Sequence, residues 1–286
     1  LDVKKHSLPR ISQSALSVRL SNFATLGQQE ETFLQKAQTT SKRYKKGECL
    51  VRRGDRQNNL FMLQSGFAVM KSYSRGNGER ILQTYFPGDI IGLAEMGSQQ
   101  ATHHVSMQKD GMLSTMSKTS FWQKLEELPR LAALLRAISC LDLLALRYHF
   151  SCLSSMDASS NLKHFLLQLR ARQNVHKLGL GDKFEVPFSQ VEIGQAIGLT
   201  PIYVNKLLRL FRDEGSLEIE RPYYTLMKRQ AWERETEFRD AYTNVDLSWF
   251  NERNSKECAY SDEIIDRVPI YSHQKKFIQD RPQSIL

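Results

Sequence analysis

The chain has 286 residues, 41% of them hydrophobic and 25% charged, with a formal net charge of +9. That composition supports a buried core in about two domains, and it excludes a fully disordered chain or a small disulfide-stapled scaffold. The basic surplus suits a partner carrying phosphates; residues 1–230 hold all of it, while residues 231–286 are mildly acidic.

Residues 1–45 read as a mostly helical, Gln- and Ser-rich segment anchored by Leu20, Phe23, Leu26, Phe33 and Leu34. Residues 46–118 change texture. Apolar stretches such as Leu60–Leu63, Phe67–Tyr73 and Ile81–Phe86 alternate with Gly54-Asp55, Ser65-Gly66 and Pro87-Gly88-Asp89, the pattern of a small antiparallel sandwich or barrel. Gly76-Asn77-Gly78 reads as a hairpin turn rather than a phosphate loop, because no helix follows it.

Residues 119–155 turn helical, with Pro129 near the start of a long helix carrying two apolar stripes. Leu134, Ile138, Leu141, Ala145, Tyr148 and Cys152 follow heptad steps, and Leu143, Leu146, Phe150 and Leu153 form the second stripe. Both stripes need cover. One is expected to pack on the chain's own sandwich and the other on a second copy, and the first stripe is assigned to the dimer seam. The alternative is one broad core helix inside a monomer. Leu131–Leu135 is the longest clean apolar run and is far too short to span a bilayer. No export leader is read at the N-terminus, so a cytoplasmic protein without membrane contact is expected.

Residues 156–230 read as a second globular unit behind a small, polar hinge at Ser154–Ser160. Ile193, Ala196 and Ile197 mark one face of a short helix, and Gly198-Leu199 makes a turn. Thr200 is a natural N-cap with Pro201 at the first helical position, and Val204, Leu207, Leu208 and Phe211 form the buried face of a second helix. Gly215 stops it, and Leu217–Ile219 and Tyr223–Met227 follow as short strands. Two helices, a glycine turn and a hairpin make a winged helix-turn-helix. Such a motif presents the N-terminal part of its second helix to base edges in the major groove. The DNA-binding candidates are Ser189, Gln190, Thr200, Ile202, Tyr203, Asn205, Lys206 and Arg209, with Arg212 deeper along the helix. Asparagine suits adenine, lysine suits guanine, and isoleucine suits a thymine methyl; the arginines suit phosphates.

Residues 231–286 form a C-terminal extension with aromatic anchors Trp232, Phe238, Tyr242, Trp249 and Phe250. Trp232, Glu235 and Arg239 have helical spacing, and no period is legible from Asn251 onward. The extension either packs back to tune DNA affinity or is loosely held.

Gly47, Gly54-Asp55, Leu60–Gly66 and Gly88-Asp89-Ile90-Ile91-Gly92, followed by a long helix and then by Val191–Thr200, resemble the CRP/FNR superfamily of bacterial transcription regulators. The resemblance covers roughly residues 15–230. It implies an α+β protein: an N-terminal cyclic-nucleotide-binding-like β-roll, a long dimerisation helix and a C-terminal winged helix-turn-helix. It also implies a homodimer reading a two-fold operator on double-stranded DNA, with RNA polymerase as a further partner.

Departures from the family pattern narrow the reading. Cyclic-AMP-responsive members place a glutamate after the glycine matching Gly92 and an arginine about ten residues on, where this chain has Leu93 and Ala101-Thr102-His103-His104. A buried phosphate without a cation is poorly held, so cyclic AMP is not expected as effector. No cysteine precedes Cys49, as the oxygen-sensing members' iron–sulfur cluster would require, and no cofactor is expected. Leu93, His103 and His104 are the candidate effector-pocket residues, with haem through one histidine as the alternative. In the recognition helix, Ile202 and Lys206 stand where well-known members carry Glu and Arg, so the target differs from theirs.

Cys49, Cys140, Cys152 and Cys258 include no C-x-x-C pair, which argues for free thiols in a reducing compartment. Cys140 and Cys152 lie about 18 Å apart along one helix and cannot pair within a chain; a Cys152 disulfide across the seam is a redox alternative. The run Ser41–Lys46 with Arg52-Arg53 is either a solvated face or a contact for DNA or polymerase. Two rival readings remain: a haem, nitric-oxide or redox sensor, and a scaffold that never reads DNA. No nucleophile–base pair, metal cluster or paired carboxylates suggest an enzyme.

Overall fold

The computed structural model describes residues 14–38, 40–74, 78–175, 181–243 and 245–247. Two short helices, α1 (Ala15–Leu20) and α2 (Gln28–Gln38), precede a sheet formed by β1 (Lys42–Tyr44), β2 (Cys49–Val51), β3 (Asn59–Ser74), β4 (Gly78–Tyr85), β5 (Ile90–Ile91) and β6 (His104–Ser117). The strands therefore begin at Lys42, slightly before the expected boundary. The sheet order is β1-β6-β3-β4, with β2 also on β6 and β5 on β3, and the pairings are antiparallel. Gly76 and Asn77 of the expected hairpin turn lie outside the described residues, but β3 and β4 pair up to Ser74 opposite Gly78. Val51, Leu63, Tyr85, Ile91, Val105 and Leu113 fill the roll's interior.

The helical region expected at 119–155 is two helices, α3 (Lys118–Glu127) and α4 (Pro129–Ser155). The break falls on Leu128, with φ −125° and ψ 63°. A residue before proline is pushed out of the helical region, and Pro129 then starts α4 where its missing N–H costs nothing. Leu131, Leu134, Leu135 and Ile138 of α4 join Leu16, Leu20, Phe33, Leu34 and Phe121 in a second core.

Met156 is extended, and Asp157 Oδ1 accepts from Ser160 N at 2.9 Å to open α5 (Ala158–Val175). The expected hinge is thus only two residues wide. Then come β7 (Lys183–Glu185), α6 (Gln190–Ile197), α7 (Pro201–Asp213), β8 (Leu217–Glu220), β9 (Tyr223–Leu226) and α8 (Arg229–Glu235). The wing is three-stranded, in the order β7-β9-β8. Its core includes Phe165, Phe184, Ile193, Val204, Leu208, Phe211 and Trp232 and also takes in Phe67, Val69, Ile81 and Phe86 of the roll. The roll and the winged domain share one apolar core. Among the described residues no helix is long and apolar enough to cross a membrane.

The orientation of α4 reverses the expected assignment of its stripes. Leu134, Ile138, Ala145 and Cys152 are buried within this chain, while Leu141 and Tyr148 are half-buried. Leu143, Leu146, Phe150 and Leu153 are exposed, Phe150 by 72%. The cause is α5, which returns along α4: Gln168 Nε2 donates to the Ala145 carbonyl at 3.5 Å, and the rings of His149 and His164 stack at 6.2 Å. Cys152 therefore faces the chain's own interior, and burial pushes its thiol pKa up. Cys140 is exposed on the same helix.

Burial lowers the pKa of both stacked histidines, and proximity to His149 helps bring His164 to about 4. Tyr148, Gln168, Arg239, Asp240 and Tyr242 surround His164, and Asp142 and Arg172 line the cavity beside His149. Below pH 6.5 the unfolded histidines take up protons that the folded pair resists, His164 until about pH 4, so acid destabilises the fold. Between pH 7 and pH 5 the stability is expected to drop by about 1–2 kcal/mol through this pair. Thermal melts should show that His164→Phe removes that part of the acid sensitivity; an unchanged pH slope in the variant would refute it.

The described part of the extension is packed. Helix α8 ends at Glu235, so Arg239 lies beyond it, after Glu237 at φ 47°. Phe238 meets the His164 ring at 5.2 Å, Tyr242 is buried, and Leu247 joins the α1–α4 core. The anchors Trp249 and Phe250 lie outside the described residues.

Candidate nucleic-acid interface

Helix α6 opens with a capping box. Ser189 Oγ accepts from Glu192 N, and Glu192 Oε2 accepts from Ser189 N at 2.8 Å. The roll takes part: Gln108 Nε2 donates to Glu192 Oε1 and to the Pro187 carbonyl, both at 2.8 Å. Burial tends to raise the Glu192 pKa, but the Ser189 N–H, Gln108, the Ser189 hydroxyl and the charge of Lys46 hold it below the usual range.

The turn to α7 depends on two glycines. Gly198 caps α6 at φ 76°, and a Cβ on Gly194 would come 2.3 Å from the Leu199 carbonyl oxygen. Any side chain at 194 would push the two helices apart. Thr200 Oγ1 accepts from Tyr203 N at 3.3 Å, and Pro201 sits in the first turn. Val204, Leu207, Leu208 and Phe211 point inward, and Phe211 meets Trp232 edge-on at 5.0 Å.

The outward side of α7 carries Ile202, Asn205, Lys206, Arg209 and Arg212, all exposed, with Tyr203 beside them. Lys206 Nζ stands 6.0 Å from the centre of the Tyr203 ring, a distance at which the ring's face attracts the ammonium. Of the eight DNA-binding candidates, Ser189 and Thr200 use their hydroxyls as caps, and Gln190 is half-buried. The other five converge on one exposed surface rich in positive charge.

Residues 41–127 match the family model described as a cyclic nucleotide-binding domain, and residues 162–234 match the one described as a Crp-like helix-turn-helix domain. The chain belongs to the CRP/FNR family of transcription regulators. The transcriptional activator protein FnrA of Stutzerimonas stutzeri is 29% identical over 62% of this regulator and 72% of FnrA. The transcriptional activator protein Anr of Pseudomonas aeruginosa is 28% identical over 62% of this regulator and 72% of its own length. The solved structure of FixK2 from Bradyrhizobium japonicum shares the fold, with a TM-score of 0.60 at 20% identity, covering 68% of this regulator and 96% of that chain.

At the two places matched to the cyclic-AMP contacts of the family, the roll carries neither a carboxylate nor a guanidinium. Half-buried Leu93 stands where an acid would hold the ribose, buried Ala101 and exposed Thr102 stand near the expected arginine, and Glu95 Oε1 accepts from Thr102 N. A cavity of about 310 Å³ lies between β4, α4, α5 and the extension, with Leu93, Leu143, Leu146, His149 and Gln168 in its wall. Leu93 belongs to it, but His103 and His104, also expected in an effector pocket, do not. His104 opens β6 opposite Lys71, its Nδ1 accepts from Arg53 N at 3.5 Å, and its ring meets Tyr73 edge-on; His103 Nδ1 lies 2.8 Å from Thr102 Oγ1. Strand pairing at the roll's outer end keeps both away from α4.

Sequence reasoning missed a buried charge cluster at the edge of this cavity. Asp89 lies between Arg19 and Arg172 at 2.6 Å from each, and Arg19 also binds both oxygens of Asp142 at 2.8 Å. Tyr242 Oη donates to Asp142 at 2.9 Å and accepts from Arg172 at 2.8 Å. Burial opposes the charge on Arg172, but Asp89, Tyr242 and Asp142 together raise its pKa well above the ordinary value.

Proposed function

We propose that this regulator acts as a homodimer on a two-fold DNA site, with α7 of each copy in a major groove. The exposed stripe Leu143, Leu146, Phe150 and Leu153 carries this reading. Its steps of three and four residues are those of a helix–helix seam, and the same helix buries its other stripe within the chain. The seam assigned from the sequence to Leu134, Ile138, Leu141, Ala145, Tyr148 and Cys152 moves to this neighbouring face. Half-sites then lie about one helical turn apart. The partners in this reading are double-stranded DNA, a second copy and RNA polymerase, in a cytoplasmic setting, without dependence on cyclic AMP. That relatives are transcriptional activators supports contact with polymerase. The described part of the extension, in which Phe238 meets α5 and Tyr242 bonds to Asp142 of α4, is read as a strap that fixes how the winged domain is held.

Sedimentation of the purified protein tests the seam. Wild type is expected at twice the chain mass and Leu146→Asp with Phe150→Asp at the chain mass, still cooperatively folded because both positions are exposed in the single chain, with a melting temperature lowered by the lost association. A monomeric wild type, or an unaltered dimer in the double variant, would remove the seam.

A further inference from the structure

The fold places the basic run at residues 41–46 beside the winged domain. β1 is the edge strand of the sheet and pairs with β6, Arg43 opposite Met112. A β-turn follows, Lys45 to Glu48, in which Glu48 N donates to the Lys45 carbonyl at 3.1 Å. Gly47 N donates to the Met107 carbonyl at 2.8 Å and Lys46 N to Asp110 Oδ1 at 2.8 Å, so the turn is fixed on both sides of Gln108. Gln108 is the residue that bonds to Glu192 and Pro187 at the start of α6, and its neighbour Lys109 pairs with Glu185 of β7 at 2.7 Å. Glu192 in turn feels the charge of Lys46.

Lys42, Arg43, Lys45 and Lys46 are exposed, and among the described residues none of the four has an ion-pair partner, whereas Lys71, Lys109, Lys163 and Lys183 each have one. Charge on an edge strand hinders pairing with another sheet, and a single lysine serves that end. Here four cations fall in five positions, next to the helix that crosses the DNA backbone in this motif. We propose that the corner at residues 42–46 is a second DNA-contact surface, through which the roll binds backbone phosphates that α6 and α7 do not cover. The proposal rests on α7 entering the major groove. The occupant is fixed by charge and by continuity: the corner adjoins the N-terminal turn of α6, so a duplex held by α6 and α7 passes it. Phosphate contacts carry no sequence information; they add affinity and fix how the duplex lies against the roll.

The test uses the full chain and a duplex recovered by selection from random DNA. Two double variants remove the same charge from different places. One is Lys45→Gln with Lys46→Gln; the other is Arg52→Gln with Arg53→Gln, where Arg53 N meets His104, about 13 Å along β6 from Gln108. All four positions are exposed, so both variants should melt with wild type. Ethylation of single backbone phosphates, which removes their charge, maps those that binding needs. Wild type is expected to need phosphates, at matching places in both half-sites, that the Lys45 and Lys46 variant does not. That variant should lose about tenfold in affinity for each phosphate contact at about 0.1 M salt, and its slope of log affinity against log salt should be shallower by about 0.9 per contact. The Arg52 and Arg53 variant should keep the wild-type phosphate map. If the Lys45 and Lys46 variant keeps the wild-type map and salt slope, the proposal is overturned while binding itself leaves the DNA-reading role of α7 standing. The same holds if that variant fails only to recruit RNA polymerase, which would make the corner a polymerase surface. Equal losses in the two variants would reduce the effect to net charge and overturn it as well. Recovery of no duplex at all overturns both readings.

Discussion

Replacing Asp89 with alanine is expected to lower the unfolding free energy by about 3–5 kcal/mol, because removing one partner of a buried ion cluster leaves the others uncompensated. Asp89 is 3% exposed and takes one guanidinium on each oxygen, and Oδ2 also accepts from Phe86 N at 2.8 Å. Its loss leaves Arg19 and Arg172, both largely buried, to share Asp142. The hydrogen bond from Phe86 N to the Asp89 carboxylate is lost as well. Urea titration gives the number. Adding Arg172→Met to Asp89→Ala should recover part of the loss, since an apolar side chain between the rings of Phe86 and Tyr242 demands no counter-charge. A loss below about 1 kcal/mol in the single variant would mean that water reaches the cluster and shields it.

Asn205→Ala with Lys206→Ala is expected to reduce operator affinity by about 10²–10⁴-fold, at about 1–3 kcal/mol for each base contact. Both side chains are exposed, so folding is untouched. Fluorescence anisotropy on a selected operator and on random DNA separates recognition from charge. Affinity for random DNA should fall far less, and the slope of log affinity against log salt should shrink if Lys206 also neutralises a phosphate. If the variant keeps the full wild-type preference for the operator over random DNA, α7 is not the reading element.

Much of this was legible because local patterns carry it. The inward face Val204, Leu207, Leu208, Phe211 and the start at Thr200-Pro201 specify α7 without reference to the rest of the chain. The turn residues of the roll likewise announce its strands. What depended on partners distant in sequence was not legible. The two stripes of α4 have the same periodicity, and α5, packing on the side of Ala145, decided which one faces inward. β7 is three residues long, too short for an alternating pattern to stand out. The charge cluster draws Arg19, Asp89, Asp142, Arg172 and Tyr242 from positions with no common spacing. The family resemblance groups His103 and His104 with Leu93, whereas strand register carries His104 to another part of the roll.

The cluster also limits how this regulator could be recombined. Its charges come from the first helix, the roll, the long helix and the helix leading into the wing, with the hydroxyl of Tyr242 bonded among them, so neither half keeps a neutral set of buried charges when cut from the other. A graft of the DNA-reading half onto a foreign sensor would carry Arg172 without its acids, and the sensor alone would keep Arg19, Asp89 and Asp142 with one guanidinium between two carboxylates. Evolution of this lineage by swapping modules is therefore hindered from within: a new input must arrive by reshaping the existing roll, or bring along a replacement for every member of the buried set.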